Sequence, residues 1–250
     1  MPEKSCAECQ GTGWVLVESG PGTTARRCKC FSERRNELLF EQANIPRRYR
    51  DCTFSNFEVE HDDSLPDALK IAKKFVKNYP VQDVGLLFLG PCGVGKTHLA
   101  VATMNELIRK KEVPCYFCDF RELIRNIQST YSPDSELAEM DILSPIFHKD
   151  VLVLDELGAK RTTAWVEETI FYIINNRYNN KKLTIFTSNY PDSDEEDEED
   201  NRVDHFKKGK ETLVSRIGIR LRSRLYEMCK KVQMDGDDYR KKIKQASYRF

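Results

Sequence analysis

Residues 85–97, GLLFLGPCGVGKT, restrict the fold of this chain more than any other stretch. Four consecutive apolar residues, Leu86 to Leu89, predict a strand that is buried on both faces. A glycine-rich loop follows the strand, and a helical pattern begins at Lys96. A strand, loop and helix in this order are typical of an α/β fold built around a parallel sheet.

The loop fulfils the pattern G-x-x-x-x-G-K-[ST] from Gly90 to Thr97. Its glycines, at 90, 93 and 95, leave room for a phosphate to approach the backbone N–H groups. Lys96 supplies a positive charge for the β- and γ-phosphates, and the Thr97 hydroxyl is a ligand for Mg²⁺. The loop therefore predicts a nucleotide site. The predicted cofactor-binding residues are Gly90, Pro91, Cys92, Gly93, Val94, Gly95, Lys96, Thr97 and His98.

A second apolar strand, within DVLVLDEL, ends in two carboxylates. In P-loop ATPases an acid at this place holds the Mg²⁺ shell. Asp155 is therefore predicted to hold Mg²⁺ together with Thr97, and Glu156 to orient and deprotonate the attacking water. The strand LTIFTSN ends in Asn189, which is predicted to meet the γ-phosphate or its water because ligands gather at the carboxyl ends of parallel strands. Together with the phosphate loop, these residues indicate a site for ATP hydrolysis rather than unrelated polar residues at the ends of strands.

Four of the nine cysteines lie near the N-terminus, in Cys6-x-x-Cys9 and Cys28-x-Cys30. Two close pairs of thiolates can complete a tetrahedral zinc site. The second pair has a shorter spacing than usual, so an iron–sulfur cluster or regulatory thiols remain alternatives. Residues 11–27 predict two short strands around a Gly/Pro turn. A module of this size would depend on the metal for much of its stability.

Two further cysteines, Cys115 and Cys118, also have CxxC spacing, but they lie in an apolar run. On a strand, residues three apart point to opposite faces. This spacing therefore predicts two buried core cysteines rather than a second metal site.

Composition and the N-terminus predict a cytoplasmic protein. The formal net charge is zero, so overall charge indicates no partner. No apolar stretch approaches the roughly 20 residues of a membrane span, and MPEKSCAEC lacks the apolar core of a signal peptide. In a reducing compartment, clustered cysteines indicate metal binding rather than disulfides.

The charge of the sequence changes from negative to positive in the last quarter of the chain. Residues 191–201 include eight carboxylates in nine positions and predict a solvated, disordered insert, with a basic partner surface as the alternative. Residues 202–250 then carry 15 Lys and Arg against 6 Asp and Glu. In TLVSRIGIRLRSRLYEMC, the apolar positions at 217, 221, 225 and 228 share one face and predict a helix rich in arginine. An arginine on such a helix can reach the ATP of a neighbouring subunit.

Several strings occur in a fixed order: IPRRYRDCTFSNF, GPCGVGKTHLA, LVLDELG, IFTSNY and SRLYEMC…DGDDYR. Together they resemble the DnaC/DnaI type of helicase loader, in the initiator clade of AAA+ ATPases, with the IstB transposition helper as a close relative. The resemblance implies a parallel αβα sheet of strand order 5-1-4-3-2 without a helical lid. It covers residues 36–250, which are predicted to form the ATPase domain. Residues 1–35 resemble the zinc-binding arms of some members and are predicted to form a small zinc-ribbon-like module.

The resemblance also implies roles for particular residues. Asn189 matches the sensor 1 position. Arg224 matches the arginine finger, and Arg220, one turn earlier, is the next candidate. Residues 45–57 would lie against the adenine.

A second set of implied contacts involves DNA. Residues 120–148 would stand where initiator-clade proteins meet single-stranded DNA. Arg121, Arg125 and Lys149 are the candidates there for phosphate contacts.

The function that the resemblance implies is ATP-dependent loading of a DnaB-type replicative helicase onto single-stranded DNA in DNA replication. ATP, Mg²⁺ and Zn²⁺ are the implied cofactors, and the implied assembly is an ATP-dependent homo-oligomer whose N-terminal arm grips the helicase hexamer. No membrane partner is expected. An IstB-like ATPase that assists a transposase shares the catalytic motifs and remains the main alternative. A small-molecule kinase and a non-enzymatic zinc module that binds nucleotide are further alternatives.

Two features depart from the family pattern. Many relatives have a second Asp where this chain has Glu156. The acidic insert does not belong to the pattern, and it separates Asn189 from the arginine helix, so the geometry of partner binding stays open.

Overall fold

The computed structural model describes residues 6–20, 22–132, 138–160, 163–193 and 211–242. Most of the predicted acidic insert and the residues after 242 lie outside this part. Near the N-terminus, strands β1 (Trp14–Ser19) and β2 (Gly22–Arg27) form an antiparallel pair. The two short strands predicted between the cysteine pairs are thereby confirmed.

The centre of the molecule is a five-stranded parallel sheet. Its strands are β3 (Gly85–Leu89), β4 (Cys115–Asp119), β5 (Val151–Asp155), β6 (Leu183–Ser188) and β7 (Cys229–Gln233). They lie side by side in the order β4-β5-β6-β3-β7. Counted from the strand before the phosphate loop, this is the predicted order 5-1-4-3-2.

Helices cover both faces of the sheet, as the αβα prediction requires. On one face lie α1 (Lys29–Gln42), α2 (Ser64–Asn78) and α3 (Lys96–Lys111); on the other lie α4 (Phe120–Ser129), α5 (Glu139–His148), α6 (Ala164–Asn179), α7 (Leu213–Ile217) and α8 (Ile219–Met228). A 3₁₀ turn spans Arg47–Tyr49, and α9 (Tyr239–Lys242) follows β7. Within the described ranges, no helix combines the length and the apolar character that a membrane span requires.

The strands alternate between the two cores. Leu86 and Phe88 of β3 pack with α2 and α3, whereas Leu87 and Leu89 pack with the helices of the opposite face. Cys115 and Cys118 of β4 likewise belong to different cores and are both buried. Burial of the phosphate-loop strand on both faces and the core position of this CxxC pair are thus confirmed.

The N-terminal arm is joined to the sheet through α1 and the residues after it. α1 is one continuous helix that contains Cys30, and the predicted domain boundary after residue 35 falls inside it. Beyond α1, the Ala43 carbonyl accepts the N–H of Phe117 at 2.8 Å, and the Asn44 side chain donates to the Phe117 carbonyl at 3.0 Å. These bonds cover the exposed edge of β4, which would otherwise offer unpaired backbone groups to another chain.

The arginine-rich segment is buried on its predicted apolar face but is interrupted at Gly218. Gly218 has a φ of 80° and separates α7 from α8. A Cβ at this position would lie 2.2 Å from Oε1 of Glu167. A glycine within a helical pattern is tolerated, so periodicity alone does not predict that the backbone leaves the helical conformation here.

At the amino ends of the strands, Arg177 of α6 is fully buried. Its guanidinium donates to the carbonyls of Ile146 at 2.6 Å and Lys149 at 3.0 Å, and to Oγ1 of Thr184 at 2.9 Å. Burial lowers the pKa of Arg177 to about 9, because the charged form loses its hydration. The side chain links the end of α5, the start of β5 and the start of β6.

Replacement of Arg177 by Met should lower the free energy of unfolding by about 3–5 kcal/mol, because several buried carbonyls lose their donors. Urea unfolding monitored by circular dichroism measures the change. Asn179→Ala, at an exposed position of the same helix, should change the same quantity by less than about 0.5 kcal/mol. Equal stability of the two variants would contradict the structural role of Arg177.

Candidate nucleotide site and cysteine cluster

The carboxyl ends of neighbouring parallel strands bring the predicted catalytic residues together. β5 ends at Asp155, β6 ends at Ser188, and β3 leads into the loop at 90–95. Because β6 lies between β5 and β3, the residues after each strand meet at one edge of the sheet. The N–H of Gly90 donates to the Ser188 carbonyl at 3.3 Å, which ties the loop to the end of β6.

The glycines of the loop also accommodate protein neighbours. Gly95 has a φ of 96°, and a Cβ there would lie 2.7 Å from Cε2 of Phe57. A Cβ at Gly90 would lie 1.8 Å from the carbonyl oxygen of Met234. The sequence assigned these glycines to phosphate approach alone. In the structure they also allow Phe57 and the segment after β7 to pack against the loop.

Lys96 is the first residue of α3 and is only 6% exposed. Its ammonium group donates to the carbonyls of Gly90 at 2.8 Å and Pro91 at 2.6 Å. Burial lowers the pKa of Lys96 to about 8, because the ammonium loses hydration. A neighbouring phosphate would offset that loss, so the position suits an anionic ligand.

The Asp155 carboxylate connects the phosphate loop with the sheet. Its Oδ1 accepts hydrogen bonds from the hydroxyls of Thr97 at 2.8 Å and Thr187 at 2.6 Å. Burial raises the pKa of Asp155, although both hydroxyls favour the ionised form. Adjacent oxygens around an octahedral Mg²⁺ lie about 3 Å apart. The Thr97 and Asp155 oxygens therefore fit the ion that they were predicted to hold.

Glu156 has an unusual backbone and an unexpected partner. Its φ of 57° lies in the left-handed region, and its N–H donates to Oγ1 of Thr187 at 2.9 Å. Its carboxylate is ion-paired with Arg121 of α4. The sequence assigned Arg121 to DNA rather than to the catalytic site, because no local pattern links residues 35 positions apart.

Asn189 directly follows β6 and is half-buried. The preceding Ser188 is fully buried, and its hydroxyl donates to the Leu157 carbonyl at 2.8 Å. This bond fixes the turn that carries Asn189 against the turn that carries Glu156. Asn189 thus lies at the predicted edge of the sheet, and its role as a sensor stays a prediction.

Residues 53–57 form a wall beside the loop. The rings of Phe57 and His98 lie 5.5 Å apart. Nε2 of His98 lies 3.1 Å from the Thr53 carbonyl oxygen and 3.0 Å from Oδ1 of Asn56. His98 therefore anchors the segment that was predicted to meet the adenine, and the adenine contact itself stays a prediction.

Sequence analysis missed the contribution of the segment after β7. The N–H of Tyr239 donates to the Gly93 carbonyl at 3.3 Å, and its hydroxyl donates to Glu58 at 2.6 Å. Asp238 packs so closely that a Cβ at Gly93 would lie 1.9 Å from its Oδ1. The string DGDDYR belongs to the family resemblance, and it was the sequence feature that could have predicted these contacts.

The two predicted finger residues lie on the surface formed by α6 and α8. Arg220 pairs with Glu168 at 3.3 Å. Arg224 stacks over the Tyr178 ring at 4.2 Å and donates to Asn175 at 3.4 Å. Both arginines line a depression of about 460 Å³. The contacts of these arginines among the described residues are with α6 and α8, and their action on another subunit stays a prediction.

An aromatic pair, with one ring exposed and the other half-buried against the core, lies beside the predicted DNA region. Tyr131 is 59% exposed, and its ring meets that of Trp165 edge-on at 6.0 Å. Nearby, Lys160 donates to Oε1 of Gln128 at 2.8 Å. Sequence analysis considered cations alone and missed both rings, which are separated by 33 residues and become neighbours through the fold.

The three predicted DNA-contacting cations have different environments. Arg125 is exposed on α4. Arg121 is paired with Glu156, whereas the Lys149 ammonium donates to Gln42 of α1 at 2.9 Å. Arg121 and Arg125 are both exposed, as a phosphate contact requires, whereas Lys149 is half-buried.

The four N-terminal cysteines form one cluster. All four Sγ atoms lie within 4.8 Å of one another, with Cys6 and Cys28 at 3.7 Å and Cys9 and Cys30 at 3.4 Å. A tetrahedral zinc with Zn–S distances of about 2.3 Å requires sulfur atoms about 3.8 Å apart. Contact with Cys9 raises the pKa of the Cys30 thiol, and a bound cation would reverse this effect. The cluster fits zinc, whose binding stays a prediction.

Comparison with known proteins identifies the family. The sequence profile described as IstB-like ATP binding protein matches residues 27–247, which is most of the chain. This chain belongs to the IstB-like ATP-binding protein family. The IstB-like chain is 29% identical to the phage-like element PBSX protein XkdC of Bacillus subtilis, over 97% of this chain and 84% of XkdC.

Two further comparisons relate the IstB-like protein to helicase loaders. It is 28% identical to the replicative helicase loader DnaC of Escherichia coli, over 63% of this chain and 65% of that protein. The crystal structure of the DnaC helicase loader superposes with a TM-score of 0.62 and 34% identity, covering 76% of this chain and 99% of that chain. The predicted resemblance is confirmed: the protein is a DnaC-type AAA+ ATPase that binds ATP.

The IstB-like protein should contain one zinc ion per chain. Cys28→Ser should abolish zinc binding, because loss of one thiolate opens the tetrahedral site. Inductively coupled plasma mass spectrometry on purified protein measures the content. Cys92→Ser removes an exposed thiol outside the cluster and should leave the zinc in place. Iron in place of zinc, or zinc retained by Cys28→Ser, would contradict the assignment.

Proposed function

We propose that this protein loads a replicative, DnaB-type helicase onto single-stranded DNA, and that ATP binding and hydrolysis time the loading. The observation that carries this proposal is the likeness to the DnaC helicase loader, which is 34% identical and covers 76% of this chain. The hydrogen bond between Thr97 and Asp155, which joins the phosphate loop to the end of β5, supports an ATPase site in this fold. An isolated phosphate loop would support nucleotide binding alone. The joined site supports a protein that changes its state by hydrolysis.

In the proposed reaction, Lys96 and the loop N–H groups hold the β- and γ-phosphates. Bound Mg²⁺, held by Thr97 and Asp155, would neutralise charge on these phosphates. Glu156 accepts a proton from water as the water oxygen attacks the γ-phosphorus and the bond to the β–γ bridging oxygen breaks. Asn189 orients that water. Burial of Lys96 and Asp155 supports these roles, because charges act more strongly where water is excluded.

The proposed helicase contact is the zinc arm of residues 1–35, and the proposed ATPase domain is residues 36–250. The arm's hairpin exposes Trp14, Leu16 and Val17, and their partners on β2 are also exposed. An isolated two-stranded hairpin is marginally stable in water. A zinc ion in the adjacent cluster and a protein partner on the apolar side chains would both stabilise it.

The proposed DNA contact is the surface of Tyr131, Trp165, Arg125 and Lys160. Aromatic rings provide stacking surfaces for unpaired bases, and cations beside them bind the phosphates. Exposure of Tyr131 supports this role, since a ring that served the core alone would be buried. We propose that the helicase and the DNA occupy the arm and this surface, respectively.

Helicase loading can be tested on closed circular single-stranded DNA, which offers no end to a ring-shaped helicase. With ATP, the wild-type chain should increase the amount of DnaB-type helicase bound to the circles, and Lys96→Ala should not.

Glu156→Gln should keep ATP affinity while kcat falls by about 100-fold or more, because the general base is lost. Native gel shifts and phosphate release measure the two effects.

The same assay distinguishes helicase loading from the main alternative, assistance to a transposase. An IstB-like helper would bind a transposase and leave the helicase on the circles unchanged. Failure of the wild-type chain to bind any DnaB-type helicase would exclude the loader function. Equal loss of ATP affinity and kcat in Glu156→Gln would instead contradict the role of Glu156.

Tyr131→Ala and Trp165→Ala should each weaken binding of a thymidine oligonucleotide by about 5- to 150-fold, since stacking contributes about 1–3 kcal/mol per base. Fluorescence anisotropy measures the affinity. Tyr172→Ala is the matched control, because Tyr172 is a similarly exposed ring on α6 that packs against Phe147. Equal affinities of all three variants would exclude this surface.

We also propose that ATP assembles the protein into a homo-oligomer in which Arg224 acts on the ATP of the neighbouring subunit. Arg224→Ala should abolish cooperative ATPase activity and spare ATP binding. Mixing inactive Arg224→Ala with inactive Lys96→Ala should restore part of the rate, because mixed interfaces contain one complete site. Arg220→Ala tests the second candidate in the same mixture. Absence of restored activity with both variants would exclude a finger in trans.

A further inference from the structure

The carboxylate of Asp192 is buried against the helix that carries the proposed finger residues. The Asp192 side chain is only 1% exposed, although this residue opens the acidic run. Nε of Arg222 donates to its Oδ1 at 2.6 Å, and the Tyr226 hydroxyl donates to the carboxylate at 2.8 Å. Both partners belong to α8. From β7, the Lys231 ammonium donates to Oδ2 at 3.0 Å, so Asp192 joins the turn after β6 to α8 and β7.

Three donors keep the Asp192 carboxylate ionised. Burial alone would raise the pKa of Asp192, but the hydrogen bonds from Lys231, Arg222 and Tyr226 outweigh burial and lower it. The Arg222 side chain is only 11% exposed, so its ion pair with Asp192 is largely removed from water. Separating such a pair would leave a buried charge without a partner. The contact therefore holds α8 in one place.

The opposite side of α8 is held less firmly. Toward α6, Arg220 makes an ion pair with Glu168 in which the two side chains are 61% and 70% exposed. Exposed pairs of this kind contribute little to stability. Gly218, with a φ of 80°, separates α7 from α8, so α7 does not extend α8 as one rigid helix. The orientation of α8 on its core contacts therefore depends on Asp192.

The turn that leads from β6 to Asp192 is held by other bonds. The Ser188 hydroxyl donates to the Leu157 carbonyl at 2.8 Å and accepts the N–H of Tyr190 at 3.3 Å. These bonds restrain the backbone on both sides of Asn189 without the Asp192 carboxylate. Loss of that carboxylate should therefore disturb α8 more than the nucleotide site of the same chain.

We infer that Asp192 is a positioning residue that holds α8 so that Arg224 reaches the ATP of the neighbouring subunit. Arg224 lies two residues after Arg222 and two before Tyr226, which is about 200° around the helix from each of them. The Asp192 contact thus supports α8 from the side opposite Arg224. This inference rests on the proposed function, because it requires Arg224 to act on another subunit.

The test places Asp192→Asn on either side of a mixed interface. In the reference mixture, Lys96→Ala chains donate Arg224, and Arg224→Ala chains contain the intact ATP site. Asp192→Asn in the donating chain should lower the restored ATPase rate by about 10-fold or more, because a misplacement of about 1 Å can cost about 100-fold. Asp192→Asn in the chain with the intact site should leave the restored rate unchanged. Phosphate release measures each mixture.

Lys231→Gln in the donating chain is the matched control. It removes a donor to the same carboxylate but leaves both bonds to α8, so the restored rate should stay unchanged. A loss as large as that of Asp192→Asn would contradict action through α8. Arg222→Lys, which keeps the charge, should retain part of the rate that Arg222→Ala loses.

Two results with Asp192→Asn would overturn the positioning role. One is an unchanged rate when the substitution is in the donating chain, and the other is an equal loss in either chain, which indicates a general effect on folding. If Asp192→Asn does not fold, Tyr226→Phe removes one hydrogen bond to α8 and is compared in the same two arrangements. Absence of restored activity in the reference mixture would instead overturn the proposed action of Arg224 in trans, and this inference with it.

Discussion

The nucleotide site depends on one buried carboxylate. Asp155 is almost inaccessible, and a charge in such a place is costly unless it is hydrogen-bonded. Thr97 and Thr187 meet this requirement with two short hydrogen bonds. Because these hydroxyls belong to α3 and β6, the carboxylate also fixes the phosphate loop against two strands. The same bonds that stabilise the fold therefore create the oxygen cluster that suits Mg²⁺.

At the amino ends of the strands, the buried guanidinium of Arg177 holds neighbouring elements together, as Asp155 does at the carboxyl ends. Arg177 joins the end of α5 and the amino ends of β5 and β6 through backbone carbonyls and the Thr184 hydroxyl, whereas Asp155 joins the carboxyl ends of β5 and β6 through the Thr187 hydroxyl. Two charges of opposite sign thus restrain both ends of the central strands. The ion pair between Glu156 and Arg121 lies outside these two buried centres and is partly exposed.

The surfaces proposed for the helicase and the DNA are connected along the chain to strands β4 and β5 of the central sheet. The loop after β5 leads from Glu156 to Lys160 and Trp165, so a ligand on the aromatic surface is connected to the site by a few residues. The helix α1 connects the cysteine cluster to the edge of β4.

The sequence by itself determined what depends on local spacing. The phosphate loop, Asp155, the strand order expected for the family and the cysteine cluster were predicted, because each follows from residues close together in the chain or from a motif order. Tertiary structure alone decided the pairing of Arg121 with Glu156 and the close approach of Glu167 to Gly218. These features join residues far apart in the chain, and neither periodicity nor motif spacing records which distant side chains the fold brings together.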